Sequence, residues 1–505
     1  MKKTIFLFSL ILSLSVQAQT IVYPEEVKAV FSKADAEITA SYATDGRTAC
    51  KVDHDDLMTV PKIAVPTCTQ AVHIKEMIKA AGGIPVDIPD VKDQNNAASI
   101  LHSKAFSWDG AVLPENWVSE NNTVSVLVYK TIADFNIPCL GSSPLTRKID
   151  DGLRRMTGEF SSMEGLVRKA RTYRKAKVLM DGLFSIDTHC DLPDEYSRGF
   201  SVGKRTLSQC SIPKMDEGHL DSQVLISFLW QGPTDEASSQ RAVEKNLRQI
   251  ESIKEDIAKY PGLCGLARTP DEALALKAEG KKAFFIGLEN GYGIGTNLEN
   301  IKKMKDLGVI YITLCHFRDN SICNTSSRHG SNPSKGLTEY GLKVIKEMNR
   351  QGIMIDLSHP SPGTFWDCIK HSKAPVICSH SGARAIYGHD RGLDDRQLKA
   401  LAENGGVIQV YSVADFLGRD ASRMTIDDMM KHFNHCVEVA GDSHVGIGSD
   451  FDGGGGVIGC NGDNDLINIT VKMLEHGYSP SQIEGFWGGN FMRVMKEVQA
   501  IADQD

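Results

Sequence analysis

The chain has 505 residues, 41% hydrophobic and 24% charged, with 56 Lys and Arg against 64 Asp and Glu for a formal net charge of −8. This is an ordinary globular balance, which excludes disorder, collagen and coiled coil as whole-chain descriptions. It also speaks against a nucleic-acid binder, which needs a basic surface. The length allows two or three domains.

In chain order, Lys2 and Lys3 precede an apolar run from Ile5 to Val16, and Val16-Gln17-Ala18 closes it with small residues at cleavage-site spacing. Residues 1–18 therefore read as a secretory signal peptide cut after Ala18. The run is too short to span a bilayer, and no Cys follows that could carry a lipid. The expected mature chain has no membrane anchor and is exported, with a bacterial periplasm the best-fitting compartment. Twelve Cys in such a chain invite disulfides. Their spacing is irregular, and Cys139 and Cys378 sit in apolar strand-like runs where a buried free thiol serves as well. No pairing is assigned.

Residues 19–165 alternate short apolar runs with helix-like segments. KIAVPTC reads as a strand, TQAVHIKEMIKAAGG as an amphipathic helix stopped at Gly82-Gly83, and IPVDIP, WDGAVLP and FNIPCLG as further strands. Such alternation implies a parallel sheet, so a small flavodoxin-like α/β domain is expected. The basic stretch GLRRMTGEFSSMEGLVRKARTYRKAK reads as a bridging helix.

A second domain is expected over 176–505. LFSID, QVLISFLW, AFFIGLE, VIYITLC, IMIDLS, PVICS, GVIQVYS and HVGIGS are eight apolar, β-rich runs separated by helix-like segments. Eight strand–helix units over this length predict a (β/α)8 TIM-type barrel, with a doubly wound open sheet as the alternative. Titratable residues end six of the runs: His189-Cys190-Asp191, Glu289, His316, His359, His380 and Asp450. In a barrel the C-terminal strand ends share one mouth, so these side chains would meet in one cavity. A single His at such a place is more often structural than a ligand, but six strand ends are hard to assign to chance.

His189 and Asp191 are two apart, so on an extended strand they share a face. Imidazole and carboxylate donors suit divalent transition metals, zinc best. Glu289 has two oxygens and could bridge two ions, with His359 and His380 completing the second. Such a pair would hold a bridging hydroxide and polarise a carbonyl. Asp450 then stands where a proton shuttle belongs; a capping carboxylate in the turn GSDFDGGGG is the blander reading.

At this point the residues match a family. IDTHCDLP, FFIGLENG, YITLCH, GLTEYGLKVIKEMNRQGIMIDLSHPS, APVICSHSGARAI, DRGLDDRQL and HVGIGSDFDG, in this order from Leu179 to Val498, resemble the membrane (renal) dipeptidases, zinc peptidases of the amidohydrolase superfamily. The resemblance implies two Zn2+ per chain, with His189 and Asp191 on one, Glu289 bridging, and His359 and His380 on the other. It implies His316 on the substrate carbonyl or its oxyanion, Arg391 on the free carboxylate, and Asp450 in acid–base work. A dipeptide, including one with a C-terminal D-residue, is the implied substrate, and a homodimer is left open. Glu289-Asn290-Gly291 departs from the family's Glu-Gly-Gly, and FRDNSICNTSSRHG after His316 also differs. Another hydrolase of the superfamily (a lactonase, an esterase or an N-acyl amino acid hydrolase) is the runner-up, and a non-catalytic binding protein comes third.

The first domain resembles part of a class I glutamine amidotransferase-type domain through TQAVHIKEMIKAAGGIPVDIP, WDGAVLP and IPCLGSSP. That family's nucleophilic Cys falls two residues after Gly141, where this chain has Ser143, and no downstream His–Glu segment is evident. Ser without a base is a poor nucleophile, so this domain is expected to be catalytically inactive.

Overall fold

All eight apolar runs of the second half form parallel strands around one sheet. The computed structural model describes residues 62–65, 84–87, 163–206 and 208–502. In the first unit, which runs to Leu179, β1 (Lys62–Val65) and β2 (Ile84–Asp87) pair in parallel, Lys62 opposite Ile84. This agrees with strands expected in KIAVPTC and IPVDIP. The helix expected in TQAVHIKEMIKAAGG, the runs WDGAVLP and FNIPCLG, Ser143 and the leader lie outside the described residues. The bridging segment is helical over Met163–Gly182.

The second unit holds β3 (Ile186–Cys190), β4 (Ser222–Phe228), β5 (Cys264–Leu266), β6 (Lys282–Glu289), β7 (Val309–Thr313), β8 (Met354–Asp356), β9 (Ile377–Ala383), β10 (Gly392–Leu393), β11 (Val407–Val410) and β12 (Val445–Ile447). The order β3-β4-β6-β7-β8-β9-β11-β12 follows the chain around the sheet, with β5 beside β6 and β10 beside β9 as additions. This singly wound order rules out the doubly wound alternative, in which strand order reverses. A parallel bridge between Cys190 and Phe451 joins the two ends of the series. The domain is a TIM-type (β/α)8 barrel.

The strands form because β-branched and aromatic residues fit a pleated surface covered on both faces. β3, β4, β7, β8, β9, β11 and β12 are buried along their whole length. Ile186, Val224, Phe285, Ile310, Met354, Ile377 and Val407 share one core cluster with Phe491, Val494, Met495 and Val498 of the helix Asn490–Ala502. Those four recur at helical spacing, so the last helix adds an apolar stripe to the core. The outer helices begin at capping residues that the sequence advertises: Thr338 accepts from Gly341 N–H, Ser361 from Thr364 N–H, and Asp394 forms a capping box with Gln397.

Candidate metal centre and active site

The structure gathers the predicted side chains at the C-terminal mouth of the barrel, all of them buried. His189 and Glu289 lie at the ends of β3 and β6, and His380 lies within β9. His316, His359 and Asp450 each sit three residues beyond the last residue of β7, β8 and β12, on the loops rather than on the strands themselves. Asp191 is not on an extended strand as expected. It begins the turn Leu192–Arg198 with φ −91° and ψ 17°, and the pairing of β3 with β4 shifts register between Asp187 and Cys190. Its carboxylate still faces its partner, Oδ2 standing 3.6 Å from His189 Nε2.

Glu289 divides the site. Its Oε2 lies 3.7 Å from His189 Nε2, while its Oε1 lies 2.9 Å from His359 Nε2 and 3.4 Å from His380 Nε2. His359 Nε2 and His380 Nε2 are 3.1 Å apart. Two donor sets follow, His189–Asp191–Glu289 and Glu289–His359–His380, each with its ligand atoms within 4.8 Å of one another. Asp450 Oδ1 is 4.0 Å from His189 Nε2 and joins a third grouping with His189 and His380.

The hydrogen bonds fix which imidazole nitrogen faces the centre. Tyr311 Oη donates to Thr188 O at 2.9 Å, so its 2.9 Å contact with His189 Nδ1 is one in which the imidazole donates. Ser379 Oγ likewise donates to Asp356 Oδ2 at 2.6 Å and accepts from His380 Nδ1 at 2.9 Å. In both rings Nδ1 carries the proton and Nε2 presents a lone pair, the arrangement a metal ligand needs. His189 Nε2, Asp191 Oδ1 and Glu289 Oε1 are buried without hydrogen-bond partners. Unpaired buried acceptors are costly, and a pair of divalent cations would satisfy them, so the residues present fit the metals.

The electrostatics agree. Burial, reinforced by the Glu289, Asp450 and Asp194 carboxylates, pushes the Asp191 carboxyl well above its usual range. Burial opposes charge on His189, yet Glu289 and Asp450 raise its pKa on balance. The mouth thus recruits positive charge beside His189. Burial pushes the Asp450 carboxyl up to about 6, against the lowering effect of His189 and Arg391. Burial brings His316 down to about 4, against the pull of Glu289, so at neutral pH this ring is a neutral hydrogen-bonding group.

Arg391, just ahead of β10, donates from Nη2 to His380 O at 3.0 Å. Its Nε and Nη1 are buried without partners among the described residues, which leaves part of the guanidinium fork free for an anion. His316 packs against Phe228 and Phe317 with ring centroids 4.7 and 4.3 Å away, and the exposed Trp230 caps it edge-on at 5.5 Å. These rings form an apolar wall beside the centre.

The supporting residues were missed at the level of sequence. Asp356 accepts from Ser358 Oγ, Ser379 N–H, Ser379 Oγ and Thr313 Oγ1 at 2.5–2.8 Å. Asp187 accepts from Ser449 N–H and Oγ at 2.7 and 2.6 Å, tying β3 to the Asp450 turn. A signal existed: each is the single charged residue in an otherwise apolar strand run.

Comparisons with known proteins identify the family and the fold. The model of the membrane dipeptidase family, peptidase family M19, matches residues 173–505. A Schizosaccharomyces pombe protein described as an uncharacterized dipeptidase is 35% identical over 338 residues, covering 63% of this chain and 81% of that protein. A probable dipeptidase of Pseudomonas aeruginosa shares the fold at a TM-score of 0.62 and 24% identity, covering 66% of this chain and 99% of that one. A metallo peptidase of Rhodobacter sphaeroides, solved with a phosphinate mimic of the dipeptide L-Ala-D-Ala, does so at 0.57 and 24%, covering 63% and 99%.

Proposed function

The chain belongs to the membrane dipeptidase family, peptidase family M19, and from that premise, which makes it a metallo dipeptidase, we propose an exported enzyme that works with two zinc ions and accepts dipeptides with a C-terminal D-residue. The observation that carries the reading is the split of Glu289, whose Oε2 is turned to His189 and whose Oε1 is turned to His359 and His380. His189 and Asp191 would hold one ion, His359 and His380 the other, and Glu289 both. Bound zinc supplies a Lewis acid for the scissile carbonyl and acidifies the attacking water.

The chain's own groups do the rest. Arg391 takes the substrate's free carboxylate on the N–H groups that lack partners. This places the peptide bond between the guanidinium and the two donor sets. His316, uncharged at neutral pH, donates to the carbonyl oxygen as negative charge builds there. Asp450, raised toward neutrality, accepts the proton of the attacking water and passes it to the departing amine. Phe228, Phe317 and Trp230 limit water on the side occupied by the substrate's side chains.

Support for the D-residue lies in the L-Ala-D-Ala mimic held by the Rhodobacter sphaeroides protein and in the absence of any demand on stereochemistry by a carboxylate clamp. Residues 1–18 act as an export leader, consistent with their charge and apolar pattern; no helix among the described residues is long and apolar enough to cross a membrane. Residues 19–165 take no part in the catalysis on this reading, so Ser143→Ala should leave dipeptidase activity unchanged. Hydrolysis of a panel of L,L- and L,D-dipeptides, with and without chelator, tests the whole reading. Turnover of lactones or esters but not of dipeptides would shift it to another hydrolase of the superfamily.

A further inference from the structure

Cys190 separates the two ligands His189 and Asp191, and its Sγ lies 2.8 Å from Sγ of Cys210, 20 residues away. Both side chains are fully buried. Two unbonded sulfurs do not settle this close, whereas a disulfide of about 2.05 Å needs a movement of less than about 1 Å. Cys190, Cys210 and Asp452 could also be read as a metal-binding trio. The distances argue otherwise, because two thiolates on one zinc at about 2.3 Å would stand roughly 3.8 Å apart. The Asp452 oxygens are also engaged, Oδ2 accepting from Ser208 Oγ at 2.6 Å and Oδ1 from Gln209 N–H at 2.8 Å.

We propose that Cys190 and Cys210 form a disulfide that staples the end of β3 to the segment Ser208–Cys210. That segment is already clamped to the Asp450 turn: Gln209 Oε1 accepts from Asp452 N–H at 2.6 Å, and Gln209 Nε2 donates to Gly455 O at 2.8 Å. The staple therefore links, by one covalent bond and a few hydrogen bonds, the strand end bearing His189 and Asp191 to the turn bearing Asp450. Its formation releases two protons and two electrons from the two thiols. A disulfide-containing oxidant, protein or glutathione, takes them up and becomes two thiols. The proposal rests on the export reading only for its natural oxidant.

The test uses the full chain, prepared once by export and once in a reducing cytosol followed by treatment with oxidised glutathione. Each sample is blocked with an alkylating agent in denaturant and digested with trypsin. The expected result is a linked pair of peptides, 178–198 with 206–214, which disappears on reduction. Reduction should also lower the Tm of the wild type by roughly 5 °C and leave that of Cys210→Ser unchanged. A link in the glutathione-treated sample but not in the exported one upholds the pairing and counts against export. Free, alkylated Cys190 and Cys210 in the glutathione-treated protein would overturn the proposal, as would a metal ion lost specifically in Cys210→Ser.

Discussion

The backbone N–H of Asp450 donates to the carbonyl oxygen of His189 at 3.1 Å. With Asp191 N–H on Phe451 O at 2.9 Å, it forms the seam that closes the barrel between its first and last strands. The His189, Asp191 and Asp450 side of the site therefore lies on the join itself. Asp450 pays for its place with a positive φ of 64°, uncommon for a residue with a side chain. Gly453 and Gly455 N–H groups return to its carbonyl at 3.2 and 2.6 Å. A Cβ at Gly453 would collide with Asp191 Oδ2 and one at Gly455 with Ser449 O, and Gly454 and Gly456 have φ of 133° and 121°, which explains the Gly-rich turn.

Replacing Asp450 with Asn should leave metal content near the wild-type value and reduce kcat by 10²–10⁴-fold, on the order expected for a lost acid–base group. The amide keeps the shape and cannot carry the proton. Steady-state kinetics beside metal analysis would check this, and near-normal turnover would reassign the proton transfer.

Tyr311→Phe removes the group that accepts from His189 Nδ1. Ser379 Oγ at 3.4 Å is a weaker substitute. Loss of such a partner should weaken metal affinity by about 10–100-fold at the His189 site. Competition with a chromogenic chelator should show one weakened ion and one of unchanged affinity. Equal weakening of both would mean that the phenol supports the barrel rather than this ligand.

Arg391→Met should raise KM and lower kcat/KM for free dipeptides. C-terminally amidated analogues should be poor substrates of the wild type and lose little further in the variant. Equal wild-type turnover of acid and amide would remove the carboxylate clamp from the account.

Stability should fall in acid through His432. Ala383 N–H donates to its Nδ1 at 3.1 Å, and its Nε2 faces Leu417 O at 3.3 Å, so the buried ring has no room for a second proton. Burial holds its pKa down to about 4 from 6.5. Between these values the unfolded chain binds a proton that the native one refuses, so stability is lost as pH drops through that window. From pH 7 to pH 5 the wild type should lose about 2 kcal/mol more than His432→Asn in urea unfolding. Equal losses would place the acid sensitivity elsewhere.

The eight barrel strands were legible because each is a short apolar run bounded by helical segments, and a strand buried on both faces carries its own signature. The strands Cys264–Leu266 and Gly392–Leu393 were not, since three or two residues carry no periodicity. Seven of the eight candidate site residues were legible because titratable groups ending apolar runs imply convergence once a barrel is assumed; Arg391 came from the family resemblance alone. The tautomer of His189 could not be read, because it depends on Tyr311, 122 residues away on another strand. Asp191 was placed on the right side for the wrong backbone, as the turn beginning at Leu192 starts one residue earlier than an extended strand would allow.

Zinc titration of metal-stripped protein, followed by dipeptide hydrolysis, tests the central claim most directly. With His189–Asp191 and His359–His380 sharing Glu289, activity should rise to a plateau at two equivalents of zinc per chain, and Glu289→Ala should abolish the plateau. A plateau at one equivalent, or no dipeptide hydrolysis at any zinc loading, would contradict the account.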